Sequence, residues 1–382
     1  MVIVPDVSGR RRILFAAAGG HGHLQPLLPL AERAIRMGHA VLVTGAASLG
    51  GHATARGLAF AATGPDVVPV VAPLTVHDID HERRVVASYF VARLGRARAS
   101  QVLELCSSWQ PDVVVHDEVD FGAAVAAEAA GLPHVQVIVI GAGGFILPEL
   151  VQDPLNALLA EFGAEQAGFN MLHRHLTLTP FPVSFRDPVH PLAGPVISYH
   201  VPPPLKSRRK RTSRSLFVTL GTIFNTESGD LLRTAMLGAA ECPGVERVVV
   251  ATGEHVDPTN LGPLPHSVQV HRFVDQDAVL AASDAVISHG GSGTVLGALK
   301  QALPSVSLPI GADQQLNSDR LRLLGLGVTL AADTATVEQV RDACHAVLTA
   351  SYMRQQLDRV RDEFVEAVTP DDALSAVTSL AR

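Results

Sequence analysis

The stretch "DAVISHGGSGTVLGALKQAL", residues 284–303, reads as a strand, a glycine turn and a helix in succession. Its apolar run ends at Ser288. Gly290, Gly291 and Gly293 then permit a tight turn, and a helical pattern starts near Thr294. Backbone N–H groups converge at such a helix start and carry the positive end of its dipole, so the turn is a cradle for an anion such as a diphosphate. Two ligand classes fit it. Gly291, Gly293 and Gly297 form a GxGxxxG pattern with Asp313 about 20 residues on, where a dinucleotide-binding turn places its ribose-binding acid. Against that, His289 stands just before the glycines as a charge-assisted donor to a diphosphate. The polar run "GADQQLN" that follows offers two forks, Asp313 and Gln314, which suit several sugar hydroxyls better than one ribose.

The same grammar extends in both directions. After it comes "LPSVSLPIG" and a helical C-terminus from about Val337; before it come "SLFVTLG", "RVVVATG" and "VQVHRFV". Further upstream, "RILFAAA", "AVLVTG", "DVVVHD" and "HVQVIVIG" alternate with helical patterns: residues 26–37, "HERRVVASYFVARLGRARASQVLELC" and "FGAAVAAEAAG". Near-continuous apolar strands separated by helices imply βαβ units and parallel sheets covered on both faces. The proline-rich passage ending "HVPPPLK" separates two such series, each opening with a strand, a glycine turn and a helix. The expected architecture is α/β, with two Rossmann-like domains facing across a cleft. Residues 1–200 form the first domain, 201–214 a linker and 215–382 the second, the last helix being free to pack back on the first domain.

Composition narrows the function classes. At 382 residues and 47% hydrophobic the chain is long for one domain and rich in core material. Thirty Lys plus Arg against 37 Asp plus Glu leave a net charge of -7, which disfavours nucleic acid and anionic membranes as partners. The one basic run, "KSRRKRTSR", adjoins "VPPP" and reads as solvated linker. Cys106, Cys242 and Cys344 lie far apart without CxxC spacing, so neither a disulfide framework nor a zinc knuckle is expected, and a cytoplasmic setting fits. No apolar run is long enough to span a bilayer. "HDIDH", residues 77–81, has metal-ligand residue types and an Asp-x-Asp spacing. It also precedes a helix, whose dipole alone favours acids there.

The first glycine turn, "GGHGHLQP" (residues 19–26), carries two histidines that phosphate binding does not require. Taken with "FVTLGT", "HRFVDQDAVL", "SHGGSGT" and "PIGADQQLNSDRL", it resembles the inverting glycosyltransferases of the GT-B fold that decorate natural products such as macrolides and aromatic polyketides. The resemblance covers nearly the whole chain and is most specific from Leu216 to about Leu348. It implies an NDP-sugar donor, TDP or UDP with a deoxysugar, held by the C-terminal domain. It also implies a small lipophilic acceptor on the N-terminal domain and no metal or other cofactor. Residue by residue it makes His23 the general base and Asp117 its orienting acid. His289 and the turn Gly291, Ser292, Gly293 and Thr294 would hold the diphosphate, assisted by Thr222. Asp313 and Gln314 would read the sugar, and the backbone at Val274 the base. Where the family often has Pro-Gln after that valine, this chain has Asp275-Gln276.

The chemistry agrees with such a role. An acceptor hydroxyl is a poor nucleophile unless its proton is taken as it attacks, which a carboxylate-held imidazole does near neutral pH. Helix capping or phosphate binding is the other reading of His23; His21 reads as a turn residue and His116 as a polar residue at a strand end. An epimerase of the same fold and a catalytically silent partner protein are the rival functions, and the oligomeric state, a homodimer included, stays open.

Overall fold

The computed structural model describes residues 9–66, 74–165, 167–200, 213–221, 228–253 and 256–381. It holds two wholly parallel sheets. The first comprises β1 (Arg12–Ala16), β2 (Ala40–Gly45), β3 (Phe60–Ala62), β4 (Val113–Asp117), β5 (His134–Val137), β6 (Leu176–Thr179) and β7 (Val196–Ser198). Their order is β3-β2-β1-β4-β5-β6-β7. The second comprises β8 (Arg214–Thr219), β9 (Val245–Ala251), β10 (Val268–His271), β11 (Ala285–Ser288), β12 (Ser305–Ser307) and β13 (Gly327–Thr329), in the order β10-β9-β8-β11-β12-β13. Both are doubly wound, as the apolar runs require: Val113, Val114 and Val115 point alternately to opposite faces, yet all are buried because helices cover both.

In an open sheet of this kind the crevice lies beyond the carboxyl ends of the strands where the winding reverses. The reversal falls between β1 and β4 in the first sheet and between β8 and β11 in the second. The turn with His23 leaves β1, and Asp117 ends β4; the glycine turn at Gly221 follows β8, and His289 follows β11. The topology alone therefore gathers the residues that the motifs single out.

The two halves share buried surface. Ile138, Ala142, Phe181 and Phe185 join the apolar cluster of the second sheet, and Arg320 donates to the carbonyls of Phe185 (3.0 Å) and Ser184 (3.0 Å). The last helix, Pro370–Leu380, packs on the first sheet through Ala373, Leu374 and Val377, and its Asp371 takes both arms of Arg33. Residues 201–212 of the expected linker lie outside the described residues, while Arg214 already belongs to β8.

Local details depart from the periodicity. The helix expected over residues 81–106 is a helix Ile79–Val85, a π-helical stretch Val86–Gly95 and a helix Arg96–Trp109. Apolar spacing cannot distinguish i+4 from i+5 bonding, and π turns concentrate at functional sites. The helix expected over residues 26–37 runs Leu28–Arg36, and the glycine turn before it holds a further short helix, His21–Leu24, so His23 sits within a helical turn. Among the described residues no helix is long and apolar enough to cross a membrane.

Candidate active site

Gly19 adopts φ +84°, and a Cβ there would meet the His23 ring at 2.9 Å, so glycine is needed for the imidazole to fold back over its own turn. The ring is about one quarter exposed, and its Nδ1 lies 3.6 Å from Oδ1 of the fully buried Asp117. Asp117 is fixed from below: Oδ2 accepts from the Ala18 amide (2.7 Å) and Oδ1 from the Val119 amide (2.8 Å). Phe90, from the π-helical stretch, flanks the imidazole with ring centroids 6.3 Å apart. Burial disfavours the imidazolium, but Asp117 first, then Asp313 and Glu118, outweigh it and raise the His23 pKa. Asp313 belongs to the other domain, so both halves act on one imidazole.

The second half holds the glycine turn read from sequence as an anion cradle. The helix Ser292–Lys300 starts at Gly291 with no side chain capping its first turn, so its N–H groups remain for a ligand. A Cβ at Gly293 would meet nothing within 4 Å. His289 is wedged between two glycine turns, since a Cβ at Gly221 or at Gly291 would lie 2.8 or 2.4 Å from its ring. That enclosure changes its chemistry. Burial drives its pKa down to about 4, and a bond with the Thr219 backbone offsets little of this, so the charge-assisted donor expected from sequence is a neutral imidazole. Thr294 is buried in the first turn, and Thr222 lies outside the described residues.

Asp313 and Gln314 follow β12 through Ala312, a non-glycine residue held at φ +50°. Gln314 is buried, and its carbonyl oxygen accepts from the amides of Ile310 (2.8 Å) and Gly311 (3.1 Å). It therefore shapes the loop, and only its amide nitrogen end remains for a sugar oxygen, fewer contacts than its sequence position suggests. Val274 is half-buried against the apolar cluster that contains Phe217, Val249 and Leu280. The Asp275-Gln276 departure has a local reason: Asp275 caps the helix Gln276–Ala282 by accepting from the Ala278 amide (3.0 Å).

Sequence reading missed three groups. Glu118 is buried behind Asp117 with its Oε1 accepting from the amides of Val139 (2.7 Å) and Ile140 (2.5 Å); burial, partly offset by Arg186, lifts its pKa to about 7. Asn317 bonds across the cleft to Ala142. Phe273, 60% exposed, stands beside Val274. Of these only Asn317 had a signal, its place in "GADQQLN".

Other histidines take structural parts. His21 packs on His52 with ring centroids 4.3 Å apart; burial first, then His52 and Arg56, lower its pKa to about 4. His116 bonds the Asp117 carbonyl (2.8 Å) and His134 (3.0 Å). In "HDIDH", Asp78 caps the following helix through the His81 amide (2.8 Å) and Asp80 pairs with Arg83 (3.1 Å), so both carboxylates are engaged locally. Glu128, His134 and His175 bring metal-ligand atoms within 4.8 Å of one another at the amino ends of β5 and β6, away from the carboxyl-end crevice, and Arg174 already occupies one Glu128 oxygen (3.0 Å).

Residues 238–380 match the family described as erythromycin biosynthesis protein CIII-like, C-terminal domain. Over 97% of this chain and 98% of its own length, the 3-alpha-mycarosylerythronolide B desosaminyl transferase of Saccharopolyspora erythraea is 25% identical. The L-demethylnoviosyl transferase of Streptomyces niveus is 28% identical over 94% of this chain and 95% of its own. Among solved structures, the glycosyltransferase SsfS6 of Streptomyces sp. SF2575, complexed with thymidine diphosphate, superposes with a TM-score of 0.75 at 25% identity, covering 97% of this chain and 100% of that one. With two doubly wound sheets and a shared cleft, the chain is a glycosyltransferase of the GT-B fold. The match to the CIII-like C-terminal domain spans residues 238–380 alone, while the antibiotic-type transferases resemble the chain over nearly its whole length.

Proposed function

We propose that this enzyme transfers a deoxysugar from a TDP- or UDP-sugar to a hydroxyl of a small lipophilic acceptor with inversion, His23 acting as general base. The observation that carries the reading is the His23–Asp117 pair at the switch point of one sheet, with Asp313 of the other domain acting on the same ring. In the displacement the acceptor oxygen bonds to the anomeric carbon while the bond from that carbon to the diphosphate oxygen breaks. The acceptor proton passes to His23, and Asp117 stabilises the imidazolium. Charge growing on the diphosphate is met by the N-terminus of the helix Ser292–Lys300, which makes a divalent ion dispensable. The solved SsfS6 structure with thymidine diphosphate favours TDP.

The test is product analysis with TDP- and UDP-sugars and an alcohol acceptor, with and without a chelator. The expected product has the anomeric configuration opposite to the donor's, and turnover survives chelation. Retained configuration, or an epimerised donor formed without acceptor, would overturn the reading. Activity lost on chelation and restored by Mn²⁺ would overturn its metal-free part.

A further inference from the structure

Two consecutive amides of the acceptor-side domain reach across the cleft. The Gly141 N–H donates to Ser292 Oγ (2.9 Å) and the Ala142 N–H to Asn317 Oδ1 (3.0 Å). Both receiving side chains are buried, and both then donate to one oxygen. Ser292 Oγ–H reaches Asp313 Oδ2 at 2.5 Å, and Asn317 Nδ2–H reaches the same atom at 2.7 Å. Asn317 Nδ2 also contacts Ser292 Oγ (2.9 Å) and the Gly290 carbonyl (3.0 Å), which ties the arrangement to the glycine turn. The loop before Asp313 is gripped from the same side: the His77 amide donates to the Ile310 carbonyl (2.8 Å), and Glu82 accepts from the amide of Ala312, the residue held at φ +50°.

The hydroxyl of Ser292 is thus spent on Asp313 and Gly141, which leaves the helix amides rather than this side chain for a phosphate. Oδ2 of Asp313 is saturated by two donors, so Oδ1 is the oxygen that remains to accept from a sugar hydroxyl. Where Oδ1 points is set by Ser292 and Asn317, and they are held in turn by peptide groups of the other domain.

We propose that Asn317 and Ser292 are positioning residues that make donor-sugar recognition depend on docking of the Gly141–Ala142 peptide, so that Asp313 is aimed at the sugar only when the acceptor-side domain is in place. The proposal rests on the sugar-reading role given to Asp313 above. Neither residue touches the reacting atoms; both act through Asp313.

The test compares wild type with Asn317→Ala, Ser292→Ala, Asp313→Asn and the double variant Asn317→Ala/Asp313→Asn. Donor kcat/KM is measured with an alcohol acceptor, free TDP and UDP binding by calorimetry, and folding by thermal melting. Each single variant at Asn317 or Ser292 is expected to lose roughly 10- to 100-fold in donor kcat/KM, the scale of a misplacement near 1 Å. Free TDP and UDP should bind within about twofold of wild type, because the loss concerns the sugar alone. The double variant should be no worse than Asp313→Asn, since Asn317 acts through that carboxylate. Should Asn317→Ala fail to fold, Ser292→Ala carries the same readouts. Unchanged donor kinetics, losses that multiply in the double variant, or weakened binding of free nucleotide would each overturn the proposal. Wild-type donor kinetics in Asp313→Asn would instead overturn the sugar-reading role and the coupling with it, which separates the two failures.

Discussion

Nδ1 of His23 lies 3.6 Å from Oδ1 of Asp117, although 93 residues separate them in the chain, because β1 and β4 are hydrogen-bonded neighbours, Asp117 ends β4 and His23 lies in the turn that leaves the carboxyl end of β1. That separation is longer than a hydrogen bond, and Asp117 Oδ1 already accepts from the Val119 amide. The carboxylate therefore acts on the imidazole chiefly through charge, and a small approach of the ring when acceptor binds would close the bond.

Removal of the imidazole is the first test. His23→Ala should lower kcat on an alcohol acceptor by roughly 10²–10⁴, the usual worth of a general base. Nucleotide affinity should stay near wild type, because the diphosphate cradle proposed above is in the other domain. Steady-state kinetics paired with calorimetry checks both, and near-wild-type turnover in a folded variant would remove His23 from the mechanism.

Asp117→Asn has a defined sign. Asp117 is the largest of the influences that raise the His23 pKa, so without its charge the neutral base exists at lower pH. The acid limb of the kcat/KM profile should move downward while the plateau falls, because the imidazolium formed in the reaction loses its stabilising charge. The substituted amide also turns an N–H group toward one of the two backbone amides the carboxylate serves, so about 1–3 kcal/mol of stability should be lost as well. An unmoved acid limb, with a lowered melting temperature only, would reduce Asp117 to a structural part.

His289→Ala should weaken binding of TDP or UDP modestly. With its pKa near 4 the ring is neutral and its one N–H bonds the Thr219 backbone, so its removal loosens the wall between the two glycine turns rather than removing a charge, at a cost of at most about 0.5–1.5 kcal/mol, or up to roughly tenfold in affinity. Calorimetry at pH 6 and pH 8 measures this. A hundredfold loss would mean that bound diphosphate recruits the imidazolium after all.

Glu118 makes stability depend on pH. Its folded pKa of about 7 exceeds the ordinary 4.5, so the native state holds a proton that the unfolded chain releases earlier. The stabilisation is complete below about pH 4.5 and is lost as pH rises through about 7, with an upper bound of about 3 kcal/mol. Glu118→Gln keeps the single oxygen that accepts from both Val139 and Ile140, and should flatten this decline. Denaturant titrations at pH 5 and pH 8 decide it: equal slopes in the two proteins would show that Glu118 is not the titrating group.

The parallel sheets and the glycine turns were legible because each follows from local rules, whereas His23 and Asp117 were singled out by the resemblance to GT-B glycosyltransferases. Four-residue runs such as "VVVH" bury both faces only in a covered parallel sheet, and a turn that starts a helix advertises itself by its glycines. What remained hidden was of another kind. The π-helical stretch that places Phe90 beside His23 has the same apolar spacing as an α-helix.

By itself the sequence determined the fold class and the two strand-turn-helix series, since these depend on neighbours within a few residues. Only the tertiary structure decided protonation and partnership. Enclosure between Gly221 and Gly291 makes His289 neutral, and burial behind Asp117 makes Glu118 titrate near pH 7. Ser292 and Asn317 bond to amides 151 and 175 residues away. Desolvation and long-range hydrogen bonds depend on which segments exclude water around a group, and no window of sequence contains that information.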